Sequence, residues 1–155
     1  FETNEPTLEE LLRDVSTGKI QLPDFQRQWV WDDVHIRELI ASVAKSFPIG
    51  AVMLLSTEGD GVRFKPRPVE GVKLTQKKQP KLLILDGQQR LTSLYLALVN
   101  QEPVRTQNEK KQSLKRYYYL DIEKALHGDD MIDAIIGVPD LSLIHISEPT
   151  RLLSI

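Results

Sequence analysis

The sequence predicts a small mixed α+β domain, a small mixed sheet with packed helices. Short apolar runs that read as strands alternate, unevenly, with segments of helical periodicity, and no internal repeat occurs. Uneven alternation argues against a doubly wound parallel sheet, which needs regular βα units. The chain has 155 residues, 41% hydrophobic and 27% charged, enough to bury a real core.

Thr7-Leu8-Glu9-Glu10 reads as a capping box, in which the Thr7 hydroxyl and Glu10 carboxylate satisfy each other's orphan backbone donors. The helix it opens carries Leu8, Leu11, Leu12 and Val15 on one face, and Gly18 supplies its stop. Ile20-Gln21-Leu22 is a short strand ended by Pro23. Asp32 caps a second helix with Ile36, Leu39, Ile40 and Val43 at core spacing, and Phe47-Pro48-Ile49-Gly50 breaks it. Ala51–Leu55 reads as a buried strand. Ser56 to Lys81 is long, basic and rich in Gly and Pro, so a hairpin is expected within it, with Val62-Arg63-Phe64 as one strand. Leu82–Leu85 is a strand, and a helix follows from Gln88 to about Asn100 with Leu91, Leu94, Tyr95 and Leu98 inward. Gln101 to Arg116 reads as a polar spacer before the strand Tyr117–Asp121.

Composition narrows the function classes. Formal net charge is -2, so nucleic acid would have to be met by a local patch. The absence of cysteine excludes disulfides, thiolate metal sites and a cysteine nucleophile. No apolar run approaches the roughly 20 residues that span a bilayer, and no signal segment opens the chain, so a cytoplasmic protein with no membrane partner is expected. The chain begins at Phe1 rather than Met, and upstream residues are expected. At the other end Leu143–Leu152 resembles translated adapter sequence, so the tail is expected to be partly non-native, over about 141–155, the alternative being an ordinary polar tail with a few apolar anchors; on either reading no function is drawn from His145.

Chemistry concentrates in two places. In Leu85-Asp86-Gly87-Gln88-Gln89-Arg90, a carboxylate, a glycine, two amides and a guanidinium gather where a strand hands over to a helix N-terminus. Free backbone N–H groups and the positive dipole end suit a phosphate there. Asp86 would hold a metal ion or orient a water, and Arg90 would clamp phosphate oxygens. The plainer alternative is a common turn, with Asp86 capping the helix and Arg90 solvated. The second cluster is Leu22–Trp31, where Gln26 and Arg27 supply donors and Trp29 and Trp31 bracket them. For the tryptophans packing is the favoured role.

Three blocks in order, Leu22–Trp31, Phe47–Gly50 and Leu85–Leu94, resemble the N-terminal domain of GmrSD-type modification-dependent restriction proteins, related to the ParB/sulfiredoxin fold. The resemblance covers about residues 7 to 125. It implies a ParB-like nucleotide-binding domain over 1–125, followed by a C-terminal tail over 126–155. It also implies a regulatory domain of a phage-defence system that binds and hydrolyses a nucleoside triphosphate with Mg²⁺. By residue-wise transfer, Gln26, Arg27, Gly87 and Arg90 bind nucleotide, Asp86, Gln88 and Gln89 are catalytic, and Asp86 takes the metal. An HNH-type nuclease domain is the implied partner. No His-Asn-His cluster, sulfiredoxin cysteine or Walker A sequence occurs in this chain, so nuclease, sulfiredoxin and P-loop chemistry are not expected from it. The competing expectation is a non-catalytic DNA-sensing or protein-interaction module, with the basic Arg63–Lys81 loop on a phosphate backbone and binding that falls steeply with salt.

Overall fold

A computed structural model describes residues 5–59, 64–141 and the backbone of 152–154. The described residues form five helices and eight strands in an α+β arrangement with two small sheets rather than one. By backbone proximity the chain divides into two compact units, one built from Phe1–Trp29 and Gly50–Tyr95, the other from Val30–Ile49 and Leu96–Ile155.

The first unit begins with α1 (Leu8–Ser16), whose capping box forms as the sequence predicts: Thr7 N–H donates to Glu10 Oε2 at 2.8 Å and Glu10 N–H to Thr7 Oγ1 at 3.2 Å. Leu12 and Val15 are buried, with Leu8 and Leu11 half-buried beside them. Gly18 ends the helix at φ +73°, a left-handed conformation that favours glycine, and its N–H reaches Val15 O.

The sheet of this unit runs β2-β4-β1-β3, with β1 (Ile20–Pro23), β2 (Met53–Ser56), β3 (Pro66–Arg67) and β4 (Leu82–Asp86). The two central strands, β1 and β4, are parallel, with Ile20 opposite Leu82. Both flanking strands are antiparallel to their neighbours, with Met53 opposite Asp86 and Pro23 opposite Pro66. Ile20, Leu22, Leu83 and Ile84 are almost fully buried, as expected of strands covered on both faces. The expected buried strand at 51–55 is shifted and only half-buried, because β2 lies at the sheet edge. The expected strand Val62–Phe64 falls largely outside the described residues, while the long loop contributes the two-residue β3 instead. From the end of β4, α3 (Gln88–Leu98) buries Leu91, Leu94 and Tyr95, and Thr92 and Ser93 with them.

In the second unit α2 (Asp33–Ala44) starts at the Asp32 cap, whose carboxylate accepts from His35 N–H, and buries Ile36, Leu39 and Ile40. The sheet runs β5-β6-β7, formed by β5 (Val104–Gln107), β6 (Ser113–Asp121) and β7 (Ile135–Pro139), with β8 (Leu152–Ser154) also pairing with β6. Short helices α4 (Ile122–His127) and α5 (Met131–Ala134) lead into β7. The predicted polar spacer 101–116 is a hairpin: β5 alternates Val104 and Thr106 inward with Arg105 and Gln107 outward, and Asn108 and Gln112 close the turn by mutual hydrogen bonds. A single apolar inward residue left period-two alternation too faint to read. Residues 131–139, within the segment assigned to the tail, carry α5 and β7, and Ala134 and Ile135 are fully buried.

A charged cluster ties this unit together. Asp33 Oδ1 accepts from the Tyr118 hydroxyl at 3.1 Å and lies 3.8 Å from Arg116 Nε, while Oδ2 is 3.9 Å from Arg37 Nη1. Arg37 also donates to the carbonyls of Ile135 and Ile132. Gly137 leaves room for this cluster, since a Cβ at that position would meet the Asp33 carboxylate and push it aside. Burial, reinforced by the Asp33 charge, holds the Tyr118 phenol well above its ordinary value of 10.0.

This cluster predicts an alkaline limit to stability. Because the folded pKa of Tyr118 is raised, its contribution is complete below pH 10.0 and is lost as pH rises above that value. Tyr118→Phe should cost about 1.5–3 kcal/mol at neutral pH, as loss of a hydrogen bond to a charged group does. It should also shallow the alkaline decline, both read by urea denaturation across pH. An alkaline slope identical in the variant would exclude the buried phenol as its source.

Candidate functional site

The polarity of the first sheet gathers the predicted site residues at one edge. Because β1 and β4 are parallel, their C-terminal ends lie side by side; the loop Asp24–Trp29 follows β1, and the single residue Gly87 links Asp86 at the end of β4 to Gln88 at the start of α3. The antiparallel neighbours bring the starts of β2 and β3 to the same edge. A crevice outside the carboxyl ends of parallel strands is where ligands of open α/β sheets are usually met.

Side-chain amides stitch the two motifs together across this edge. Gln26 Nε2 donates to the carbonyls of Leu85 at 2.9 Å and Ile84 at 3.3 Å. In return Gln88 Nε2 donates to Arg27 O at 2.7 Å, and Gln89 Nε2 to Gln28 O at 3.3 Å. Arg67 Nη2 reaches the carbonyls of Gln26 and Arg27 from the other side, at 3.0 and 3.3 Å. The loop after β1 is therefore held by its own backbone acceptors, leaving the Arg27 side chain exposed at its centre. Gln88, at 5% exposure, is buried in this role.

The turn itself is set by close backbone approach. Gly87 adopts φ +83°, and a Cβ there would press within 3.1 Å of Ala51 O and Val52 Cγ2. Gly87 O accepts the first helical hydrogen bond, from Leu91 N–H, so Gly87 rather than Asp86 stands at the cap of α3. The Asp86 side chain is exposed at the end of β4.

Gly50 explains the middle block of the sequence. It adopts φ +93°, and a Cβ at Gly50 would collide with Arg90 Nη1. Arg90 lies across the glycine, donating from Nη2 to Ala51 O at 2.7 Å. Its guanidinium is thus at least partly committed to holding the segment before β2. Trp29 packs as expected, at 9% exposure, with Nε1 donating to Ser93 Oγ at 2.8 Å, and Ser93 in turn donates to Gln89 O. Trp31 belongs to the second unit, where its ring lies 5.8 Å from that of His35.

Sequence reasoning missed Arg67, which it grouped with the basic loop rather than with the Gln26-Arg27 segment. The pairing of β3 with β1 brings it there, through a partner some forty residues away that no local pattern signals. Lys78 of the same loop is also engaged, donating to Thr17 O at 2.9 Å, and Arg63 lies outside the described residues. The second unit has an open cavity of about 730 Å³ lined by Trp31, His35, Asn108, Leu114 and Arg116 among others, and none of the predicted site residues faces it. Among the described residues no group of three or more His, Asp or Glu is arranged to hold a metal ion, and no helix is long and apolar enough to cross a membrane.

Comparison with known proteins agrees with the motif blocks. An uncharacterised protein of Methanocaldococcus jannaschii is 33% identical over 127 residues, covering 77% of this chain and 21% of that protein. The chain thus spans about a fifth of the length of that relative. No solved structure matches. The model of the GmrSD restriction endonuclease N-terminal domain matches residues 8–146, from α1 through β7 and across every segment of the stitched edge. The chain belongs to the GmrSD restriction endonuclease N-terminal domain family.

Proposed function

We propose that this domain binds and hydrolyses a nucleoside triphosphate and acts as the regulatory part of a phage-defence restriction system, with the nuclease on another domain of the longer protein. The observation that carries the reading is the convergence of Gln26-Arg27 and Asp86–Arg90 on one sheet edge, at the N-terminus of α3. Family membership supports the restriction context. We also read the first sheet as ParB/sulfiredoxin-like, on the strength of its motif blocks.

Phosphate oxygens would lie against the first-turn N–H groups of α3, with Arg27 closing over them as the exposed planar cation. Arg27 would then stabilise the charge that spreads over the phosphoryl oxygens as water attacks the γ-phosphorus and the bond to the bridging oxygen breaks, giving a nucleoside diphosphate and inorganic phosphate, with the proton of the water passing to the phosphate oxygens or solvent. Asp86 is a single exposed carboxylate, which suits Mg²⁺ because that ion usually keeps several waters and takes one or two carboxylates plus substrate phosphates. Held there, the ion would neutralise phosphate charge. Gln88 and Gln89 cannot act as bases, since an amide takes no proton near neutral pH. Their amide nitrogens position the Arg27 loop. Arg90 positions the Gly50-Ala51 segment beside the turn.

Three outcomes test this assignment. Arg27→Ala should weaken triphosphate binding by about 1–3 kcal/mol in calorimetric titration while leaving the melting temperature nearly unchanged, because its side chain is exposed. A lower melting temperature with unaltered affinity would make Arg27 structural.

Asp86→Asn keeps size but removes the charge a divalent ion needs. The variant should fold normally and lose Mg²⁺-dependent phosphate release. Release equal to that of the parent at saturating Mg²⁺ and triphosphate would retire Asp86 as the metal carboxylate.

Gln88→Leu removes the tie to Arg27 O from a buried position and should cost about 1–3 kcal/mol of stability together with a loss of affinity. Denaturation and titration on one sample separate this from a purely catalytic glutamine, which would slow release and leave both quantities alone.

A further inference from the structure

The edge that carries the motifs has an aromatic end. Across the sheet order, the start of β2 comes first, then the Asp86 turn after β4, then Gln26-Arg27 after β1, and last the segment leading into β3. Phe25 follows β1 and Phe64 precedes β3, and the pairing continues beyond the strand ends through Asp24 N–H to Lys65 O at 2.9 Å. Their rings meet edge to face, with centroids 5.1 Å apart and planes at 70°. Both remain open to solvent, Phe25 at 60% exposure and Phe64 at 43%.

We propose that the Phe25–Phe64 pair is the nucleobase platform of this site, so that a nucleoside triphosphate lies along the sheet edge with its phosphates at the Asp86 turn and its base on Phe25. The inference rests on the nucleotide reading above. Adjacent strands are about 4.8 Å apart, so the β3 end lies roughly 10 Å from the β4 end, with the Gln26-Arg27 loop between them. A nucleotide separates its base from its outer phosphates by a ribose and the α-phosphate, which would lie over that loop. An edge-to-face pair fixes the Phe25 ring in orientation while a ring face stays available, the geometry that stacking on a base requires. Phenylalanine has no polar group with which to read a base edge, so the platform accepts any base by its π face and distinguishes a nucleotide from a bare polyphosphate. Arg67 holds the loop between platform and turn through the carbonyls of Gln26 and Arg27, which sets the spacing of the two halves.

The test compares ATP, GTP, CTP and UTP with inorganic tripolyphosphate, all with Mg²⁺, by calorimetric titration of the full chain. The parent should bind at least one nucleotide more tightly than tripolyphosphate. Phe25→Ala should weaken that nucleotide roughly 5- to 100-fold, the range that stacking on an aromatic side chain supports, and leave tripolyphosphate unchanged. Phe25→Trp should keep the preference, and Phe64→Ala should reduce it by less than Phe25→Ala does. Phe25 is exposed, so these substitutions leave the core intact. Nucleotide and tripolyphosphate bound equally by the parent, or a nucleotide affinity indifferent to Phe25→Ala, would overturn the platform while the nucleotide reading survives. Binding of neither ligand by the parent would remove the nucleotide reading and the platform with it.

Discussion

The reciprocal pair of amide hydrogen bonds between the two motif loops is the interaction on which the first unit's edge depends. Where parallel strands end, their last carbonyls have no ladder partner, and leaving such groups buried and unpaired costs free energy comparable to a lost hydrogen bond. Gln26 satisfies Leu85 O from one loop, and Gln88 satisfies Arg27 O from the other. The first bond caps the end of β4, and the second anchors the loop after β1 to the first turn of α3. Glutamine suits the task because its amide is a neutral donor on a side chain long enough to cross between strands, and burying it costs far less than burying a charge.

That arrangement divides the polar residues of the motifs by accessibility. Gln26, Gln88, Gln89 and Arg67 spend donors on backbone carbonyls, and Arg90 spends one on Ala51 O. Arg27 and Asp86, by contrast, are exposed, opposite in charge and on neighbouring loops. The glycines serve the same arrangement. Gly50 and Gly87 each take a left-handed conformation where a side chain would strike Arg90 or the Ala51-Val52 backbone.

The second unit follows a different economy. Its charges are drawn into a partly buried cluster around Asp33, with Arg37 one turn further along α2 and Arg116 and Tyr118 from β6. Such a cluster contributes less net stability than its contacts suggest, because desolvation offsets the attraction, but removing one member leaves the rest uncompensated. It ties α2 to β6 and β7, and the missing Cβ of Gly137 makes the room.

The sequence by itself determined the local elements and the identity of the motif residues. The capping box at Thr7, the Asp32 cap, the Gly18 stop and the apolar faces of α1, α2 and α3 are written in spacings of a few residues, and such signals survive in any tertiary context. Tertiary structure alone decided what the motif side chains do. Nothing local distinguishes Gln88, buried against Arg27 O, from an exposed glutamine free to meet substrate. Nor does any local signal tie Gly50 to Arg90, or Arg67 to the loop after β1. The β5–β6 hairpin and β7 were hidden for the same reason, as their inward residues become a core only when paired with distant strands. Periodicity records which way a side chain points along its own element. The partner it meets is set by strand pairing across long stretches of chain, and that pairing is a property of the assembled sheet.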